Sequence, residues 1–245
     1  MPWRKTRDPY RILVSEVMLQ QTQVERVKPF YEAWLKRFPT IAALAKAPLR
    51  DVLTVWQGLG YNRRAKMLHE AAKALTAEGK VPKTAEELQK LPGIGPYTAR
   101  AVIAFAHNAD TVFIETNIRT AVMHHFFPRK KQVSDKEILS ILEKAHPTGK
   151  SREWYAALMD YGAYLKRNGV RLNARTKGYT KQKTFSGSSR QARGAILKEL
   201  VKGRSSKARL VGLFGDDRKL QLEEQLAKLV DEGMVQKRGI SYTLP

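Results

Sequence analysis

One stretch near the middle of the chain constrains the rest more than any other: Leu91-Pro92-Gly93-Ile94-Gly95-Pro96-Tyr97-Thr98-Ala99-Arg100. Its two glycines, one residue apart, stand between a helical run at Ala85–Lys90 and a second that begins near Tyr97. Glycine reaches φ > 0 and lets another backbone come close, so a Gly-x-Gly turn opening a helix leaves several backbone N–H groups pointing outward. Such a turn holds a phosphate, or it is an ordinary corner between helices. Taken alone it favours the corner; what surrounds it changes that.

The chain carries 45 Lys and Arg against 23 Asp and Glu, a formal net charge of +22. That imbalance exceeds what solubility needs and points to a polyanion, with an anionic membrane the weaker choice because no long apolar run or amphipathic anchor is present. With no cysteine, disulfides, thiolate metal sites and iron–sulfur clusters are excluded. No charged segment followed by an apolar stretch opens the sequence, so a cytoplasmic or nucleoid location is expected.

In chain order, Asp8-Pro9 supplies a cap and a proline for the start of a helix. Apolar residues at Ile12, Leu13, Val17, Met18 and Leu19 predict that helix over Tyr10–Gln23, with Glu16 set among them. A carboxylate in that company is either paired or functional. Helices follow at about Glu25–Phe38, Ile41–Lys46, Leu49–Val55, Asn62–Ala77, Ala85–Lys90 and Thr98–Ala106, punctuated by Pro39, Pro48, Gly58-Leu59-Gly60, Gly79 and Pro82. Val112-Phe113-Ile114 is a strand or a buried connection into a helix starting near Thr116, and helices near Ser134–Lys144 and Arg152–Tyr164 complete an all-α body. Residues 166–193 hold nine Lys or Arg and no acid, either an exposed segment ordered on phosphates or a plain linker. Beyond Ser189, three helices (about Arg190–Lys202, Ser206–Leu213 and Arg218–Glu232) and an alternating tail around Arg238-Gly239 predict a winged-helix-like unit. Its third helix carries Glu223, Glu224 and Asp231, which makes a structural or protein-binding role about as good as DNA reading.

Three further stretches raise the Gly-x-Gly turn above a mere corner: Pro9 to Val24 with its Ser15-Glu16-Val17-Met18-Leu19-Gln20-Gln21-Thr22-Gln23 run, Gly58-Leu59-Gly60-Tyr61, and Ile114-Glu115-Thr116-Asn117-Ile118-Arg119. In order and spacing these resemble the helix-hairpin-helix DNA glycosylases, and most closely the MutY type of adenine mismatch glycosylase, over about residues 2–165. The resemblance implies a two-lobed, all-α fold: a domain over 1–165, with about 20–128 as one lobe and the N-terminal segment plus 129–165 as the other, then a basic segment at 166–188 and the winged-helix-like domain at 189–245. Leu91, Gly93, Ile94, Gly95 and Thr98 would hold a phosphate through backbone N–H groups, and the hairpin turn is also a candidate for a structural cation. Gln20, Gln21, Leu59 and Tyr61 would contact DNA, the last three as candidates to fill the gap left by a flipped nucleotide or to wedge the opposite strand, with core packing the competing role, strong for Leu59, moderate for Tyr61 and weaker for Gln21.

For the chemistry, the resemblance makes Glu16 the donor of a proton to the departing base and Glu115 the second carboxylate, with Asn117 beside it. The relatives place an aspartate at 115, so the acid here sits on an arm one methylene longer, where it also suits a helix N-terminus. Tyr97 occupies the position at which bifunctional relatives carry a lysine for Schiff-base chemistry, which implies a monofunctional enzyme; a neighbouring lysine leaves room for slow strand cleavage. Trp3 and Arg4 match residues that line the base pocket, or form a basic arm on phosphate. Ala156 stands where the relatives hold a pocket acid. The four cysteines of the relatives' iron–sulfur cluster are replaced by the stretch Lys166–Lys183, and the 57 residues from Ser189 are too few for the Nudix-like domain that senses 8-oxoguanine. The five histidines show no ligand spacing, so no metal site is expected. The implied partner is double-stranded DNA with a mismatched or damaged base, bound by a monomer without cofactor. Three activities stay open: removal of adenine opposite guanine or 8-oxoguanine, removal of thymine, uracil or another damaged base, and damage sensing with weak or no catalysis.

Overall fold

The computed structural model describes residues 1–79, 81–176 and 184–245. In chain order the helices are α1 (Pro9–Leu19), α2 (Val24–Arg37), α3 (Ile41–Lys46), α4 (Leu49–Trp56), α5 (Arg63–Glu78), α6 (Ala85–Gln89), α7 (Pro96–His107), α8 (Thr116–Phe126), α9 (Asp135–Ala145) and α10 (Ser151–Arg167). The C-terminal part adds α11 (Ser189–Lys202), β1 (Ser205–Ser206), α12 (Lys207–Val211), α13 (Lys219–Asp231), β2 (Gln236–Arg238) and β3 (Ser241–Thr243). The described residues form two compact units, one of residues 1–16, 81–90 and 94–176, the other of 17–79, 91–93 and 184–245.

In the first unit α1, α6, α8 and α9 begin where a capping side chain stands. Asp8 Oδ1 accepts from the backbone N–H of Tyr10 at 2.8 Å and starts α1; Thr84 does the same for α6; Ser134 and Glu137 form a reciprocal capping box on α9. The core joins Ala101 and Ala104 of α7, Ile118, Val122 and Met123 of α8, Ile138 and Leu142 of α9, and Tyr155 of α10 around Phe113. Val112-Phe113-Ile114 is a buried connection, not a strand. The hydroxyl of Tyr155 accepts from the N–H of Phe113 and donates to the carbonyl of Thr111, so its ring packs in the core while its polar tip satisfies this irregular backbone. After α10 the chain turns back: Leu172 packs against the core, Thr120 Oγ1 donates to Asn173 Oδ1, and the N–H of Val133 donates to the carbonyl of Arg175. Of the predicted basic segment, residues 177–183 lie outside the described residues.

In the second unit Trp34 of α2 sits edge-on to Phe38 and to Trp56 of α4, all three fully buried. The C-terminal elements run helix, strand, helix, helix, hairpin, and the three short strands form an antiparallel sheet in the order β1-β3-β2. This is a winged-helix arrangement; β1, two residues long, leaves no alternation in the sequence. The prediction that α1 runs to Gln23 is corrected: it stops at Leu19, and Gln21 takes φ +54°. The cause is Arg64 of α5, whose Nη1 donates to the carbonyls of Val17, Met18 and Gln20 at 2.8, 3.0 and 2.7 Å, holding acceptors that a further helical turn would have used.

Candidate active site

Helix α1 is buried from Ile12 to Met18, and Glu16 lies inside that run at 5% exposure. Burial drives its carboxyl pKa from 4.5 up to about 7; the hydroxyl of Tyr97, donating to Oε2 at 2.8 Å, pulls it down, Glu115 raises it and Arg4 lowers it. The two carboxyl groups therefore sit in one field, and Glu16 is still about half protonated near pH 7. Tyr97 comes from the first turn of α7, its ring edge-on to Phe113. Burial first, and the two glutamates next, push the Tyr97 phenol well above its usual range, so it remains a donor.

Glu115 is the N-cap of α8. Its Oε1 accepts from the N–H groups of Asn117 and Ile118 at 2.7 and 2.9 Å, and its Oε2 from Thr116 Oγ1 at 3.0 Å. Shorter side chains such as Asp or Ser are usual here; in Glu115 the one oxygen Oε1 takes both N–H groups. The side chain of Asn117 accepts at Oδ1 from Lys166 Nζ at 2.8 Å. Trp3 is buried in the short 3₁₀ turn Pro2–Lys5. That turn is tied to α10 by Arg152, which donates to the carbonyls of Arg4 and Thr6 at 2.8 and 2.7 Å, and by an ion pair between Arg4 and Asp160. Glu16, Tyr97, Glu115, Asn117 and Arg4 are thus brought into one electrostatic neighbourhood of the first unit, while Trp3 is held beside Arg4. Asp160, Arg152 and Lys166 were not among the expected site residues; for Asp160 the available signal was its place one helical turn beyond Ala156.

The remaining predicted contacts divide by the exposure of their side chains. Leu91, Ile94 and Thr98 are buried, so any contact they make with DNA runs through the backbone. Gly93 takes φ +74° and a Cβ there would lie 2.4 Å from the Cβ of Met67, whereas Gly95 is an extended N-cap with open space around it. Helix α7 begins without an acidic residue or side-chain cap in its own first turn. In the second unit Leu59 is 4% exposed and packs in the core. Tyr61 takes φ +48°, with the guanidinium groups of Arg64 and Arg190 each 5.4 Å from its ring centre and Arg190 Nη1 donating to its hydroxyl at 2.9 Å. Gln20 is half-buried and Gln21 exposed beyond the end of α1. Among the described residues no cluster of His, Asp and Glu is arranged to hold a metal ion, and no helix is long and apolar enough to cross a membrane.

Residues 14–147 match the HhH-GPD superfamily of base excision DNA repair proteins, more than half of the chain. The chain belongs to that superfamily. Among curated relatives, the adenine DNA glycosylase of Mycolicibacterium smegmatis is 37% identical over 218 residues, which cover 80% of this chain and 74% of that protein. The adenine DNA glycosylase of Buchnera aphidicola subsp. Baizongia pistaciae is 34% identical over 194 residues, 76% of this chain but 55% of that protein. A solved thermostable thymine-DNA glycosylase superposes with a TM-score of 0.62 at 27% identity, over 71% of this chain and 86% of that one. Glu16, Tyr97, Glu115 and the Gly93 turn fall inside the HhH-GPD match, while Trp3, Arg4, Asp160, Lys166 and the winged-helix elements fall outside it. The iron–sulfur cluster of MutY-type relatives has no thiolate ligands in this member, which lacks cysteine altogether.

Proposed function

We propose that this HhH-GPD protein is a monofunctional DNA glycosylase that removes adenine from a mismatch with guanine or 8-oxoguanine. The observation that carries the reading is Glu16: a buried carboxyl with its pKa near 7, oriented by Tyr97 in the same unit as a second carboxylate. A proton held at neutral pH is what a departing purine needs as its bond to C1′ breaks. As that bond lengthens, positive charge develops on the sugar, and the Glu115 carboxylate provides the negative charge that stabilises it and that draws in the attacking water. The products are free base and an abasic site. Tyr97 has no amine with which to attack the sugar, and its phenol is engaged with Glu16, so strand cleavage is not part of the cycle. The N-terminus of α7, with no acid in its own first turn, suits a DNA phosphate, and the +22 charge suits the duplex as a whole.

A second reading, thymine or uracil opposite guanine, draws on the likeness to a thymine-DNA glycosylase and on the missing acid at Ala156. Duplexes carrying A:8-oxoguanine, A:G, T:G or U:G, incubated with the protein and then treated with alkali, decide between them. Alkali-labile product from the adenine duplexes is expected. Product only from T:G or U:G moves the assignment to the second reading; binding without product from any duplex makes the protein a damage sensor; cleavage before alkali, at the rate of base loss, overturns the monofunctional assignment.

A further inference from the structure

Helix α10 meets the loop that carries Glu115 along one face. A Cβ on Gly162 would lie 2.0 Å from the carbonyl oxygen of Asn117, so only glycine lets the helix come this close. One helical turn further on the same face, Lys166 reaches the other side of the same residue, Nζ to Oδ1 at 2.8 Å. Asn117 in turn donates its backbone N–H to Glu115 Oε1. A continuous line therefore runs from α10 through Asn117 to the second carboxylate. A half-buried ammonium is costly unless a negative partner offsets the loss of water. For Lys166, burial lowers the pKa, the charge of Glu115 raises it and Arg171 lowers it. Lys166 lies beyond the HhH-GPD match.

Given the excision reading above, on which this step rests, we propose that Lys166 is a positioning residue for base excision: it fixes Asn117, through Asn117 the orientation of the Glu115 carboxylate, and places a positive charge in the field of that carboxylate. Two neighbouring carboxyl groups otherwise tend to share one charge. The groups that act on this pair are Glu16 from α1, Tyr97 from α7, Arg4 from the N-terminal turn and Arg171 after α10. Lys166 bonds to the side chain of Asn117 in the first turn of α8, while Arg100 of α7 donates to the carbonyl of Val112 in the segment before Glu115.

Single-turnover base release by the full chain between pH 5 and pH 9 tests this, on whichever duplex the unaltered protein acts upon, with Lys166→Met, Lys166→Gln and Lys166→Arg. Glutamine keeps an N–H for Asn117 without the charge, so it separates the two roles. The two neutral variants are expected to lose about tenfold in maximal rate, and the acid limb of the profile moves towards neutral pH by about one unit. The alkaline limb, which belongs to Glu16, stays in place, and arginine restores the acid limb. Affinity for a duplex with an abasic-site analogue changes less than about threefold in all three variants. A profile that is merely scaled down, with both limbs fixed in both neutral variants, overturns the proposal. A second measurement does not depend on catalysis: the ¹⁵Nζ resonance of Lys166, titrated in the unaltered protein and in Glu115→Gln, is expected to change at lower pH in the variant. If it does not, the two charges are uncoupled and the proposal fails whatever the rates show. Absence of base release from every duplex by the unaltered protein sinks the excision reading instead, and the titration alone then decides for Lys166.

Discussion

Glu16 and Glu115 are both carboxyl groups of one unit, yet the backbone treats them oppositely. Glu115 is given two N–H groups at the start of α8; Glu16 is given apolar neighbours and a single phenol. The folded-state pKa of Glu16, about 7, lies above the unfolded value of 4.5. A raised acid contributes stability that is fully present below the unfolded pKa and is lost as pH rises through the folded pKa. Between those two values the protein should lose on the order of 3 kcal/mol, because the unfolded chain releases a proton that the fold retains. Glu16→Gln carries no such proton. Urea unfolding is expected to show the variant near parity at pH 4.5 and more stable than the unaltered protein at pH 8, while base release falls by at least about a hundredfold. Equal pH dependence of stability in the two proteins, or substantial surviving activity, refutes the role. In the unaltered protein, base release should decline above pH 7, by about tenfold per unit once Glu16 is ionised. The buried acid itself was legible in the sequence, as a charge inside an apolar helical run. Its phenolic partner 81 residues away was legible only as a motif position, because local spacing carries no information about which side chains meet.

At the level of elements, caps and breakers marked most helix starts, and α6, α8 and α9 begin within a residue of where Thr84, Glu115 and Ser134 place them. Helix ends were harder to read. Nothing within Gln20–Gln23 stops a helix; the stop comes from Arg64, whose guanidinium takes the last carbonyls and is itself lowered to about pKa 10 by burial. The glycine turn shows the same limit more finely. The sequence presents Gly93 and Gly95 as equals, but Gly93 alone needs a positive φ and presses on Met67. Gly93→Ala is therefore expected to cost about 2 kcal/mol or more, from the strained φ together with the clash, and to weaken DNA binding as the turn shifts. Gly95→Ala, at an extended position with free space, should lie within about 1 kcal/mol of the unaltered protein. Thermal or urea unfolding of the two variants checks this. Equal losses would mean that the turn does not depend on the conformation of Gly93.

Across the whole molecule, the division of the chain was the part least visible in the sequence. Composition separates 189–245 from the rest, and the fold groups 184–245 with 17–79. The contacts responsible join residues far apart in the chain, which no local pattern announces. The backbone N–H of Arg50 on α4 donates to the carbonyl of Pro245, and its guanidinium reaches the carbonyl of Val201 at the end of α11. Arg190, at the start of α11, holds the Tyr61 hydroxyl while its charge lies against the ring, in the same loop as Gly58-Leu59-Gly60. A separable domain would leave no mark on the rest when removed. Here its loss strips partners from α4 and from the Tyr61 loop, and Tyr61 already holds a backbone conformation that costs a non-glycine residue energy. A chain ended after residue 188 is therefore expected to melt at least about 5 °C lower than the full chain, since a loss of roughly 1–2 kcal/mol moves the midpoint by that much in a protein of this size. It should also bind duplex DNA more weakly, because the Tyr61 hydroxyl loses Arg190. Arg190→Met in the full chain separates the two effects: it keeps α11 on α4 but removes the guanidinium from the Tyr61 hydroxyl and ring, and should reproduce most of the binding loss with little of the change in melting temperature. An unchanged melting temperature in the shortened chain, with unchanged binding in both variants, would make the winged-helix part an independent appendage.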